Sequence, residues 1–207
     1  QNGQRIGAKG RRTRQRLIDV TVALLATQGL RDLTVAEVAR VAETSPATFY
    51  VYFEGVPEVV LAALEQSTQC TPDLHTTLEI DWLAQTDLGQ AQRFVALYVA
   101  TWGQYRTIFR VRNLAAEEGD VRFIAARTAA ARPILMALAD RVGMARAAHR
   151  LPEALDDVAT AATITMLLER LSSVGPTPPM PGSPPLDRLV ASAAYMVAVT
   201  LGARISA

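Results

Sequence analysis

Groups able to do covalent chemistry are scattered along this chain. His75 and His149 are its two histidines, far apart in sequence and without ligand spacing. Cys70 has no base beside it, and as the one cysteine it forms no internal disulfide, which fits a reducing compartment. Asp156-Asp157 and Glu117-Glu118 are consecutive pairs at expected helix starts, where acids favour the helix dipole. No Gly-rich phosphate loop and no metal-ligand spacing occurs. Clustered titratable groups mark catalysis, so neither an enzyme nor a metal or cofactor is expected. Non-covalent chemistry is concentrated instead in "SPATFYVYF", residues 45–53, which holds four of the chain's twelve aromatic residues between small and hydroxylated ones. The other concentration is a run of cations before it: Arg5, Lys9, Arg11, Arg12, Arg14 and Arg16, with no acid through residue 16. Such a run is either a solvated tail or an arm that touches phosphates.

The elements around these residues decide between those readings. Leu17, Val20, Leu24 and Leu25 recur as one stripe of an amphipathic helix, ended by Gly29. Thr34 begins a second helix as N-cap, with Glu37 three residues on to complete a capping box, and Val35, Val38, Ala39 and Ala42 as its apolar side. Ser45 caps a third helix, and Pro46 takes its first position, where a missing N–H is harmless. At 100° per residue, Phe49 and Phe53 share the inner face of that helix. Ala47, Thr48 and Val51 point outward and Tyr50 lies on the flank. A solvent-facing helix ordinarily carries charge there; this one offers hydroxyls to phosphate oxygens and methyl groups to base edges. Two short helices across a tight turn, the second small-faced, make a helix-turn-helix.

The stretch "RLIDVTVALLATQGLRDLTVAEVARVAETSPATFYVYF" resembles the DNA-binding domain of TetR-type bacterial regulators, in the order and spacing of its pieces. The resemblance covers about a quarter of the chain. It implies an all-α, cytoplasmic homodimer that binds a palindromic double-stranded operator, usually as a repressor, and lets go when a small molecule enters the C-terminal domain. It also implies that Thr34 meets a phosphate and that Ser45, Pro46, Ala47, Thr48, Tyr50 and Tyr52 form the DNA surface. Two positions depart from the family pattern: Glu43 stands where the turn usually has Gly, and Gly55-Val56 stand where a cap and a phosphate-clamping Lys are usual. Phosphate contact by Arg11, Arg12 and Arg14 is the expected compensation. The expected organisation is a basic arm over 1–13, a helix-turn-helix domain over 14–55, a connecting helix over 56–70, and a ligand-binding and dimerisation domain over 71–207.

Beyond residue 70 the pattern is helical, with expected helices near 88–112, 117–148, 152–174 and 186–203 and a proline-rich loop over 175–185. Phe94, Tyr98, Trp102, Tyr105 and Phe109 fall on one stripe. Such a stripe is either plain core or the wall of a site for an apolar or amphipathic effector, with Met136, Met166 and Leu167 as its partners and the hydroxyls and indole as hydrogen-bond donors. Leu186, Leu189, Val190, Ala193, Ala194, Val197 and Leu201 form a second stripe, with small residues on the remaining faces. A helix apolar on more than one side is buried on more than one side, so the segments 152–174 and 186–203 are expected to form a four-helix dimer bundle, with Ala194 inside it. No uncharged C-terminal stretch reaches the ~20 residues of a membrane span. The alternative function is a dimeric DNA-binding regulator with no small-molecule effector.

Overall fold

A computed structural model describes residues 7–69, 72–174 and 182–205; Arg5, Cys70 and the 175–181 part of the proline-rich loop lie outside them. The described residues form helices and connections without a strand: α1 (Ala8–Leu24), α2 (Val35–Val41), α3 (Pro46–Tyr52), α4 (Val56–Gln69), α5 (Pro72–Thr76), α6 (Gly89–Gln104), α7 (Arg106–Glu117), α8 (Val121–Ala147), α9 (Asp157–Val174) and α10 (Leu186–Thr200), with a 3-10 turn at Trp82–Ala84. No single helix among them is long and apolar enough to cross a membrane. The chain divides into two compact units, residues 1–69 with 107–127, and residues 70–106 with 128–207.

In the first unit α1 packs on α2 and α4, and α2 packs on α3. Its core is Leu17, Ile18, Leu25, Val38, Ala39, Phe49, Phe53, Val59 and Val60. The inner face of α1 is rotated from the expected stripe. Leu17, Ile18 and Thr21 are its buried residues, while Val20 and Leu24 sit at its edge. Thr21 escapes a hydrophobicity pattern because its hydroxyl is satisfied locally, donating to the Leu17 carbonyl at 2.8 Å. Gly29 is not the helix end either; α1 stops at Leu24 and a turn follows.

Two further boundaries differ from expectation. Residues 8–13 are the first turns of α1 rather than an arm. Arg, Lys and Gln are good helix formers, and a charge-dense run hides that propensity from a search for apolar periodicity. Residues 107–127 belong to the first unit and not to the C-terminal one. There Glu117 ends α7 instead of starting a helix, Gly119 takes a φ of 92°, and Asp120 caps the start of α8 through the Arg122 N–H at 3.0 Å. Glu118 meets Arg31 at 3.0 Å, tying this corner to the segment after α1.

In the second unit α6 is central, packed against α5, α9 and α10. Ala91, Phe94, Val95, Tyr98 and Trp102 are buried on α6, as are Ala161, Ile164, Leu168 and Leu171 on α9 and Ala193, Ala194, Val197 and Ala198 on α10. The expected 88–112 helix breaks at Tyr105, whose φ of −106° and ψ of 17° leave the helical region. Gly103 weakens the last turn before the break. A stripe of rings that keeps its spacing across the break conceals it. Gly202, with φ 93°, ends α10 so tightly that a Cβ there would lie 2.7 Å from the Leu83 side chain. Arg150 fastens the same end, donating to the Gly202 carbonyl at 2.9 Å and the Leu83 carbonyl at 3.3 Å.

Candidate nucleic-acid interface

The candidate interface is assembled by caps. Thr34 Oγ1 accepts the Glu37 N–H at 3.2 Å and starts α2. The Glu37 carboxylate accepts from the Gln28 side chain at 2.8 Å, giving it a role outside the capping box. Ser45 Oγ accepts the Thr48 N–H at 3.1 Å and lies 3.0 Å from the Thr48 hydroxyl, while Pro46 opens α3. Seven residues make a marginal helix alone; this one is held by its inner rings. Phe49 and Phe53 are fully or almost fully buried, with ring centroids 5.9 Å apart. Tyr50 stands edge-on to Phe49 at 5.7 Å yet remains 59 % exposed, and Val51 is 74 % exposed.

None of the residues expected at a DNA surface is buried. Thr34, Ser45, Pro46, Ala47 and Tyr50 are exposed, and Thr48 and Tyr52 half-buried. α3 has no acid in its first turn and no base in its last. Arg11 and Arg12 are exposed on α1. Arg14 is half-buried, its guanidinium 5.0 Å over the Phe53 ring, which anchors the basic end of α1 to the foot of α3.

Two carboxylates, Glu43 and Glu58, flank α3. Glu43 Oε2 lies 2.7 Å from Arg16 Nη2. Glu43 holds a φ of 52° at the end of α2, where Thr44 donates to the Ala39 carbonyl at 2.9 Å, a left-handed helix ending that glycine fills most easily. Beyond α3, the Glu58 carboxylate accepts the Glu54 N–H, so this amide at the entrance to α4 is already satisfied within the chain. Glu43 is visible in sequence only as a departure from a family pattern, and Glu58 follows the second departure, at Gly55-Val56. Their partners come from elsewhere in the fold or across a turn. Near the same entrance, Asp120 is held below the ordinary carboxylate range, first by its hydrogen bond from Arg122.

In the second unit Phe94, Tyr98 and Trp102 are buried, and Tyr105 is half-buried at the end of α6. Phe109 lies in the first unit, on α7, under the guanidinium of the buried Arg112 at 4.9 Å. Met136, Met166 and Leu167 are exposed, Met166 by 68 %, instead of turning inward toward the α6 rings. On α9 the inward positions are taken by Ala161, Ile164, Leu168 and Leu171, which fixes Met166 and Leu167 outside. Trp82, which carried no expectation, is buried, and its indole N–H has no hydrogen-bond partner among the described residues. Ala194 points into its own unit. The outward side of α10 carries Tyr195, Met196 and Val199, and that of α9 carries Val158, Met166 and Leu167.

A capped, small-faced helix after a left-handed turn defines a helix-turn-helix protein of the all-α class. Two family models agree: one described as bacterial regulatory proteins of the tetR family matches residues 17–63, and one described as a tetracyclin repressor-like C-terminal domain matches residues 74–177. The chain belongs to the TetR family, whose members are regulators and not enzymes. It is 33 % identical over 101 residues to the HTH-type transcriptional regulator AqdR of Rhodococcus erythropolis, a match covering 44 % of this chain and 49 % of that protein. The chain thus spans about half the length of that curated relative. Among solved structures, a TetR-family transcriptional regulator from Rhodococcus sp. has a TM-score of 0.68 at 18 % identity, over 92 % of this chain and 99 % of that one. FadR from Bacillus subtilis, solved in complex with stearoyl-CoA, has a TM-score of 0.67 at 14 % identity, over 89 % and 97 %. At these identities the structural likeness is one of fold.

Proposed function

We propose that this protein represses transcription as a homodimer whose two α3 helices read a palindromic operator, and that an apolar or amphipathic small molecule releases it. The observation that carries the DNA reading is the accessible, uncharged face of α3, with Ala47, Thr48, Tyr50 and Val51 held outward by the buried Phe49 and Phe53. That face meets base edges and phosphates, Thr34 meets a phosphate at the start of α2, and Arg11, Arg12 and Arg14 supply attraction that depends on salt. The test is fluorescence anisotropy of a labelled duplex with wild type and Tyr50→Ala. Weaker binding by the variant at unchanged thermal stability supports the reading. Equal affinity sinks it.

The dimer reading is supported by the uncharged outer residues Tyr195, Met196 and Val199 on α10 and Val158, Met166 and Leu167 on α9, which suit a four-helix bundle with a second copy. The effector reading is supported by Tyr98 and Trp102 on α6, opposite the alanine-rich α9 and α10, and by the acyl-CoA held by one fold neighbour. Long-chain acyl-CoA is the first probe: it should raise the melting temperature and release labelled duplex. The burial of Phe94, Tyr98 and Trp102 within their own unit favours a second reading, in which they are plain core and the dimer has no effector. Under that reading neither acyl-CoA nor free fatty acid shifts the melting temperature.

A further inference from the structure

The turn between α2 and α3 carries a carboxylate, Glu43, beside the helix proposed to read DNA. The backbone there needs a residue that tolerates a φ of 52°, and a carboxylate contributes nothing to that need. Glu43 instead reaches back to α1 and holds Arg16, Oε2 to Nη2, at 2.7 Å. The two side chains are 77 % and 51 % exposed, so the pair contributes at most about 1 kcal/mol to folding. Its placement is what matters. Arg16 belongs to the basic run of α1, and Glu43 lies two residues before Ser45, the cap of α3. At the far end of α3 a second carboxylate, Glu58, occupies the Glu54 N–H. An acid thus stands on each side of α3, each engaging a donor of a kind that can also meet a phosphate oxygen.

We propose that Glu43 is an internal competitor for DNA phosphate: it occupies Arg16 in the free protein, and duplex binding must exchange that carboxylate for a phosphate oxygen. This deepens the DNA-binding reading above and rests on it. No bond is made or broken; one ion pair replaces another. Phosphate contacts supply binding that is indifferent to sequence. Cancelling one cation lowers affinity for every duplex alike, and leaves the α3 face to decide more of the difference between sequences. The device therefore sets the background against which an operator is recognised.

The experiment measures anisotropy of a fluorescein-labelled, mixed-sequence duplex across a salt series, using the full chain. Glu43→Gln keeps a side chain of the same size on the same backbone and removes the charge. It is expected to steepen the log–log salt slope by about one unit and to tighten binding about five- to tenfold near 0.1 M salt. Arg16→Gln alone leaves the slope nearly unchanged, and Arg16→Gln added to Glu43→Gln abolishes the gain. That non-additivity is the signature of exchange. Glu43→Gly, which also relaxes the backbone, gives the slope of Glu43→Gln with a higher melting temperature. A role confined to the turn moves melting temperature and not slope, and an unchanged slope in Glu43→Gln overturns the proposal. So does a gain that survives in the double variant, because the carboxylate then acts by direct repulsion. Absence of duplex binding by the wild type and all variants refutes the DNA reading itself, and this proposal with it.

Discussion

α3 and α10 both keep apolar residues on their outer sides, and the two sides are built differently. α3 has seven residues and an outer side of small and hydroxylated groups, Ala47, Thr48 and Tyr50, beside Val51. α10 has fifteen, and turns out Tyr195, Met196 and Val199. Small groups with hydroxyls suit a polar groove lined with phosphates and base edges. Bulky, flexible side chains suit another apolar surface, where area excluded from water drives association. Exposure alone does not name a partner; size and hydrogen-bonding capacity do.

The contrast is broken most severely by charge inside α10. Ala194 is buried in its own unit, so Ala194→Arg leaves an unpaired charge in a packed interior, at a cost on the order of 3–5 kcal/mol. Met196→Arg places the same charge on the exposed side. Sedimentation and thermal denaturation should show an unstable chain for the first and a folded monomer for the second. A stable dimer from both would remove α10 from the interface. On α3 the same split is predicted between faces. Phe49→Ala costs about 3–5 kcal/mol as a large-to-small core change, whereas Tyr50→Ala stays within about 0.5 kcal/mol of wild type. Equal melting temperatures for the two would contradict the division into peg and reading residue.

This contrast also explains what the sequence allowed to be read. α2 and α3 are specified locally: Thr34 and Ser45 each cap an amide three residues on, and Pro46, Phe49 and Phe53 fix the rest within two turns. Their expected places and faces were therefore recoverable. The outer residues of α9 and α10 depend on which side their own unit buries, and alanine-rich helices leave that choice open in sequence. From sequence Ala194 accordingly reads as a bundle residue and Met166 as a site residue, whereas the fold buries the first in its own unit and exposes the second. The basic run reads as an arm because charge conceals the helix propensity that starts α1 at Ala8. The Arg16–Glu43 pair joins residues 16 and 43, a separation no local pattern reveals.

A smaller effect sharpens the comparison of helix ends. α2 and α10 both end in left-handed residues, Glu43 and Gly202. Glu43→Gly removes a left-handed penalty of ~1–2 kcal/mol and an exposed ion pair of ~0–1 kcal/mol, for a net gain of about 1 kcal/mol in chemical denaturation. A loss there would mean that the ion pair outweighs the backbone. The smallest effect belongs to Asp157, held below the ordinary carboxylate range first by its hydrogen bonds from Arg146 at 2.8 Å. A depressed carboxyl contributes stability above its unfolded pKa and loses it as pH falls through the lowered folded value. Asp157→Asn should therefore lower the melting temperature slightly near neutrality and flatten its decline on the acid side. An identical acid limb in the variant would show that the pair does not act on folding.

In the proposed complex α3 reads duplex DNA twice, once from each copy of the chain. Selection from a random duplex library tests it directly. The wild type should enrich a two-fold symmetric sequence whose half-sites lie about one helical turn, ~34–36 Å, or a multiple of it apart, and Tyr50→Ala should fail to enrich it. Enrichment of no sequence by the wild type, or of the same sequence by Tyr50→Ala, would contradict the account.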